Sequence, residues 1–253
     1  MRDSGTLLRK DVLLPRDCLA ATAERLELAL PPTLAPTPTW RDDGTAAARW
    51  RHVLDALDQH GLRDGDHPSE DFTGTVRLLC AAATELFAYV DQPDLRYRLH
   101  VAADHRDAVL ACLVPASGNV LLHPTRPDAL AETLLAELPD WPQARGTSLS
   151  APLRDIRDAD PDGPLPRGDA GRVLDLLARP RHAAGQVSAG RRGGLDHRRT
   201  TTHPLTFVDL DTGRWLVHVT ADRDSEPHVV AVPAGWDLLL TKTRELGDTP
   251  RRR

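Results

Sequence analysis

Asp158, Asp160, Asp162 and Gly163 stand at positions one, three, five and six of a calcium-loop pattern. That spacing wraps carboxylates round a hard cation while the glycine makes the sharp turn. Leu165 holds the apolar eighth position and Asp169 the twelfth. Three prolines, Pro161, Pro164 and Pro166, interrupt the loop, and Pro152 spoils the entering helix. An aspartate at position twelve is too short to reach a cation easily as a bidentate ligand. An acidic, proline-rich surface loop is therefore the better account.

The other chemical signatures also fail. Eleven histidines include no HExxH and no HxxxH pair. His197 and His203 flank a basic loop without carboxylates or thiols that could complete a metal site with them. No GxSxG surrounds Ser148, Ser150 or Ser188. Gly190 to Gly194 is arginine-rich, lacks the Lys-Ser/Thr of a phosphate loop and precedes no helix. No catalytic residue, metal or cofactor is expected, and the chain is not expected to be an enzyme.

Two basic clusters remain, Arg191-Arg192 with Arg198-Arg199, and Arg251 to Arg253. A nucleic-acid or acidic-partner binding module built on the Arg191–Arg199 loop is the alternative function they raise. The net charge of -5, from 32 Lys+Arg against 37 Asp+Glu, weighs against general nucleic-acid binding. Stacking aromatics are also missing beside the arginines.

The elements that position these residues begin helical. Leu19, Ala23, Leu26 and Leu30 follow Pro15 at helical spacing, and Trp50, Val53, Leu54 and Leu57 mark a second helix closed at Gly61. A third spans about Thr73 to Ala83. Then the period shortens to two. Leu86–Val90, Arg96–Val101, Val109–Val114 and Asn119–His123 read as strands, with Pro124 ending the last. A helix starting near Pro127 carries Leu130, Leu134 and Leu138.

The second half repeats the order. After Ser148–Leu153 and a helix at Gly171–Ala178, Gly185–Ala189 reads as a weak strand and Arg191–Thr202 as a polar connector. Leu205–Leu210 and Trp215–Val219 form a hairpin about Asp211-Thr212-Gly213. His228–Val232 ends at Pro233, and a helix follows with Trp236, Leu239, Leu240 and Thr243 on one side. Pro124 and Pro233 stand 109 positions apart. Each ends a strand and precedes an amphipathic helix. The repeat is one of pattern, since residue identity between the halves is poor. It predicts an α+β, duplicated quasi-twofold fold sharing one antiparallel β-sheet.

Cys18, Cys80 and Cys112 lie far apart without a CxxC pair, as expected of buried, reduced thiols. No apolar segment follows Met1, so no signal peptide is expected. The longest apolar run, Leu78 to Ala83, is too short to cross a bilayer. A cytoplasmic protein is expected.

The stretch Leu176 to Pro180, then Gly185-Gln186, then Pro204 to Val217 with its PLTFVDLDTGRW block, resembles the EspG family of ESX (type VII) secretion-associated proteins of actinobacteria. Asp107 to Leu113 and Pro127 to Pro139 are similar to the family pattern too, and the resemblance covers roughly Val12 to Leu246. It implies one EspG-like domain over 1–253, with pseudo-repeats at 1–143 and 144–246 and a disordered tail at 247–253. It implies a central antiparallel sheet with N- and C-terminal helical bundles. It also implies a chaperone that binds the helical tip of a PPE-like partner within a PE–PPE heterodimer, or another helical-hairpin substrate, and keeps it soluble for secretion. The family's partner-binding regions correspond here to Phe207, Trp215, Trp236, Leu239 and Leu240. The loop Ala102–Ala108, which varies in the family and helps contact partners, is short.

Overall fold

In a computed structural model, residues 7–37, 43–160, 163–192, 198–220 and 226–248 are described. The chain opens with strand β1 (Val12–Pro15), then helices α1 (Arg16–Arg25) and α2 (Asp43–Asp58). A two-residue pair follows, β2 (Arg63–Asp64) and β3 (His67–Pro68), then helix α3 (Glu70–Ala81). Four strands run on in a meander: β4 (Thr84–Asp91), β5 (Arg96–Ala103), β6 (Ala108–Val114) and β7 (Asn119–Thr125). Helix α4 (Leu130–Ala136) closes this part. The rest comprises β8 (Leu149–Pro152), α5 (Leu153–Arg157), α6 (Asp169–Ala178), β9 (Ala183–Arg192), β10 (Arg198–Thr200), β11 (Leu205–Leu210), β12 (Gly213–Thr220), β13 (His228–Pro233) and α7 (Trp236–Asp248).

Local chemistry sets several boundaries. Ser69 accepts a hydrogen bond from the Phe72 amide at 3.3 Å, and Glu70 and Asp71 sit in the first turn of α3. A hydroxyl cap and acidic residues there satisfy free amides and favour the helix dipole. Helix α1 stops at Arg25, short of the Leu30 that the periodicity suggests. Glu27 takes φ +57, and the Leu28 amide bonds back to the Ala23 carbonyl, which turns the chain before Pro31-Pro32.

The main sheet has eleven strands among the described residues, in the order β1-β7-β6-β5-β4-β9-β11-β12-β13-β8, with β10 attached to β9. Its recorded pairings are all antiparallel. From the central β4–β9 pair the order reads alike in both directions. A meander runs outward, and its last strand pairs with a short edge strand that ends in proline and leads straight into a helix. β9 spans ten residues at the centre of the sheet, where sequence alone suggests a weak strand of five. Its alternating Ala183, Val187 and Ala189 face the reverse-face core, and Gly185 leaves room for the Phe207 ring and the Tyr89 carbonyl of the neighbouring strands.

Helices cover the sheet unevenly. Helices α1, α2 and α3 enclose a core with Leu14, Leu113, Val120 and Leu122 of one flank. Helices α5 and α6 enclose a second core with Leu149, Val208, Val217 and Val229 of the other. On the reverse face, α4 and α7 pack over Leu86, Leu99, Val187 and Phe207 of the middle strands. Gly247 and Asp248 close α7, and residues 249–253 lie outside the described residues. No helix among the described residues is long and apolar enough to cross a membrane.

Candidate docking face

Strand register locates the site. Leu113, Arg98, Tyr89, Gln186, Thr206 and Val217 are successive partners across β6, β5, β4, β9, β11 and β12, so their side chains share one face. Leu113 is buried under α1–α3 and Val217 under α6. Between them the row opens. Arg98 and Thr206 are half-buried, Gln186 is exposed, and Tyr89 keeps 41% of its surface. Helices α4 and α7, which pack on β4 and β9, lie on the reverse face. The middle of the sheet therefore has an open face between two helical flanks.

The neighbouring row is His100, Phe87 and Ser188. Phe87 meets Tyr89 edge-on, with ring centroids 6.4 Å apart at 89°, and stacks on His100 at 6.3 Å. The Arg98 guanidinium lies 5.8 Å from the Tyr89 ring centre, and its Nη1 reaches the Thr33 carbonyl at 3.5 Å. Such cation–ring contacts hold a guanidinium over an aromatic face.

Beneath this surface runs a sealed polar chain. The Thr33 hydroxyl lies 3.0 Å from His100 Nδ1, and His100 Nε2 lies 3.4 Å from Glu85, which takes the Arg198 Nε–H. Burial, aided by the Arg198 charge, pushes the His100 pKa down to about 3, so the ring is neutral. Glu85 favours the imidazolium but is already held by Arg198. A Cβ on Gly190 would fall 2.1 Å from a Glu85 carboxylate oxygen, so glycine leaves room for this acid. Hydroxyl, imidazole and carboxylate follow one another as in a nucleophilic triad, but His100 Nε2 makes no hydrogen bond to Glu85. Thr33 and His100 are 1% and 0% exposed, so no substrate reaches them. The chain fastens the Pro31–Ala35 turn and β10 to the central strands.

The sequence-expected anchors are dispersed. Phe207, Trp215 and Leu239 are 1%, 7% and 3% exposed and lie in the core. Leu240 is half-buried against the reverse-face core. Trp236 is 48% exposed at the start of α7, on the helix that packs on the reverse face. Register could have located Tyr89 and Arg98 from the sequence, had β9 been recognised as the partner of β4.

The remaining candidates are structural. Asp169 accepts the Ser150 amide at 3.1 Å and pairs with Arg172 at 3.1 Å, so it braces the edge strand β8. Pro161 and Asp162 of the calcium-like loop lie outside the described residues, and no metal-holding cluster occurs among those described. Arg192 donates to the Cys80 carbonyl and Arg198 to Glu85, so both guanidinia are drawn inward. His203 is exposed, and His197 lies outside the described residues. A recess of about 240 Å³ between α4 and α7 holds Asp128 and Glu132, paired with Arg126 and Arg244.

The sequence model of the EspG family matches residues 17–242. No curated protein matches. Among solved structures, that of the Mycobacterium tuberculosis type VII secretion system chaperone EspG5 in complex with a PE25-PPE41 dimer is similar, with a TM-score of 0.70 and 15% identity. The alignment covers 96% of this chain and 97% of the matched one. At that identity the likeness is one of fold.

Proposed function

The chain belongs to the EspG family, and from that premise we propose that it is a type VII secretion chaperone acting in the cytoplasm. It holds the helical tip of a PE–PPE-like dimer, or of another helical-hairpin substrate, and keeps it soluble until export. The observation that carries this reading is the open centre of the sheet. Tyr89 lies there exposed beside the half-buried Phe87 and Arg98, while both flanks of the same face are roofed by helices. A partly apolar surface rimmed by polar groups suits a protein partner. Holding such a partner requires no catalysis, cofactor or metal.

The same proposal gives the chain a duplicated architecture, with pseudo-repeats 1–143 and 144–246 related by a quasi-twofold axis through the β4–β9 pair. The strand order, alike outward in both directions, supports it. So do the matching edge strands β1 and β8, each ending in proline before a helix.

Trp236 supports a second placement of the partner, across α7 on the reverse face with Leu240 beside it. Phe207, Trp215 and Leu239 would then act from beneath, by supporting α7 and the sheet. Co-expression with PE–PPE-like dimers and other helical-hairpin proteins should yield a soluble complex with at least one of them. Tyr89→Asp should abolish co-purification and Trp236→Asp should leave it intact. The reverse pattern would move the site to α7. If none of these partners is retained by the wild-type chain, the chaperone reading fails.

A further inference from the structure

We propose that the open face selects partners whose tip presents a carboxylate beside an apolar side chain. The carboxylate pairs with Arg98, and the apolar group lies on Tyr89 and Phe87. This inference rests on the reading of that face as the docking surface.

Charge on the face is the first argument. The chain as a whole carries a net charge of -5, yet the two β4 acids on this side, Glu85 and Asp91, are already engaged. Glu85 is 5% exposed and held by Arg198. Asp91, one step along β4 from Tyr89, is paired with Arg96 at 3.0 Å. Arg98 differs. Among the described residues it has no carboxylate partner; it makes one long bond to the Thr33 carbonyl and lies near the Tyr89 ring. A guanidinium has five donors in a planar fork that fits a carboxylate with two parallel bonds.

Desolvation is the second argument. A partner that covers Tyr89 must also strip water from Arg98, its neighbour across the strand pair. An uncovered charge buried without a counter-charge is strongly unfavourable. A partner that brings an acid offsets that loss, and a partner that brings a lysine or no charge does not. The site thereby rejects wrong tips as well as holding right ones. The ring of Tyr89 limits where Arg98 can swing, so the acid must sit at a defined distance from the apolar contact.

A nucleic acid also carries anions. The inward turn of Arg192 and Arg198 leaves this face little of the continuous basic surface that phosphate binding needs. An acidic protein tip is favoured.

The test uses the full chain and three synthetic helical-hairpin probes with tip sequences Leu-Asp, Leu-Asn and Leu-Lys. Wild type should bind the Asp tip at least about tenfold more tightly than the Lys tip, a difference of ~1.4 kcal/mol. Arg98→Glu should reverse that order, and Arg98→Lys should keep it with a smaller ratio. Thermal melts confirm that each variant is folded, and Arg98→Gln provides a neutral variant if the reversal mutant is not. Equal binding of all three tips, unchanged in Arg98→Gln, overturns the carboxylate inference and leaves the docking face standing. Binding of no tip by any folded variant overturns the inference and the docking-face reading together. Tighter binding of a single-stranded oligonucleotide than of the Asp tip, lost in Arg98→Gln, overturns the inference in favour of a nucleic-acid surface.

Discussion

Asp209 and Arg214 form a two-pronged ion pair across the β11–β12 hairpin, with Nε to Oδ1 at 2.6 Å and Nη2 to Oδ2 at 2.7 Å. Asp209 is 0% exposed and Arg214 6%. A second Nη2 bond reaches the Pro139 carbonyl, and the guanidinium carbon lies 5.0 Å from the Phe207 ring centre. The Arg214 amide and carbonyl bind Pro142, Ala144 and Ala234. One arginine thus joins the hairpin, the crossing segment at 139–144 and the start of α7.

Removal of one partner strands the other charge in the core, at a cost of about 3–5 kcal/mol. Arg214→Met and Asp209→Ala should each lower the urea midpoint by that equivalent. The double variant Asp209→Leu/Arg214→Met should recover much of the loss, since both charges leave together. Independent, additive losses would show that the pair is not the unit of stability.

Gly213 closes the same hairpin at φ +107, and a Cβ there would lie 2.5 Å from the Ala144 Cα. Both backbone strain and collision oppose a side chain, and the crossing segment is pinned where it stands. Gly213→Ala should cost about 1–3 kcal/mol from strain alone. For a chain of this size that lowers the melting temperature by about 2–4 °C per kcal/mol. An unchanged melt would mean that the turn relaxes its backbone and the segment yields with it.

These contacts explain which parts of the fold were legible in the sequence. The DLDTGRW block stands out because Asp209, Gly213 and Arg214 each meet a constraint that few residues satisfy. Around Pro233 the strand–Pro–helix order was legible because the proline and the spacing of α7 act locally, whereas Pro124 lies inside β7, which runs on to Thr125. β9 was not legible, since its Gly185 and Gly190 make room for Phe207 and Glu85 of distant strands, and Gly185-Gln186 carries no period-two signal. β1 was hidden by its four-residue length. The docking face was illegible because Tyr89 meets Arg98 across the β4–β5 hairpin but is placed at the centre of the sheet only by its pairing with the distant Gln186, which no local pattern encodes. Phe207 and Trp215 drew notice by type, but bulk alone does not tell a core ring from a surface one.

The thiols supply another check. Burial pushes Cys18 and Cys80 up to about 11, and Cys112 likewise, with Glu137 adding to the effect. At pH 8 a pKa near 11 leaves about one thiol in a thousand ionised, and the thiolate is the reactive form. The folded chain should react with an aromatic disulfide reagent at least about a hundredfold more slowly than the urea-unfolded chain, in which all three react. Prompt labelling of Cys80 in native buffer would show that α3 opens readily.

His100 makes stability depend on pH in a calculable direction. Its folded pKa is about 3 and its unfolded value 6.5, so between those limits the unfolded chain holds a proton that the folded chain does not. Stability from this group is complete above pH 6.5 and declines as pH falls towards 3. Between pH 7 and pH 5 the decline is about 2 kcal/mol, from 1.36 kcal/mol per unit over roughly 1.5 units. His218 is also held below its usual value, by burial and then by Lys242 against the opposing Glu245, so it adds to the slope with the same sign. Subtraction isolates His100. His100→Gln keeps a polar side chain towards Thr33 and Glu85 but cannot titrate. Its urea-derived stability should be lower than wild type at pH 7 and should change by about 2 kcal/mol less on going to pH 5. Parallel pH curves for the two proteins would mean that His100 takes up its proton over the same pH range folded as unfolded, so that burial does not hold the ring neutral beneath the docking face.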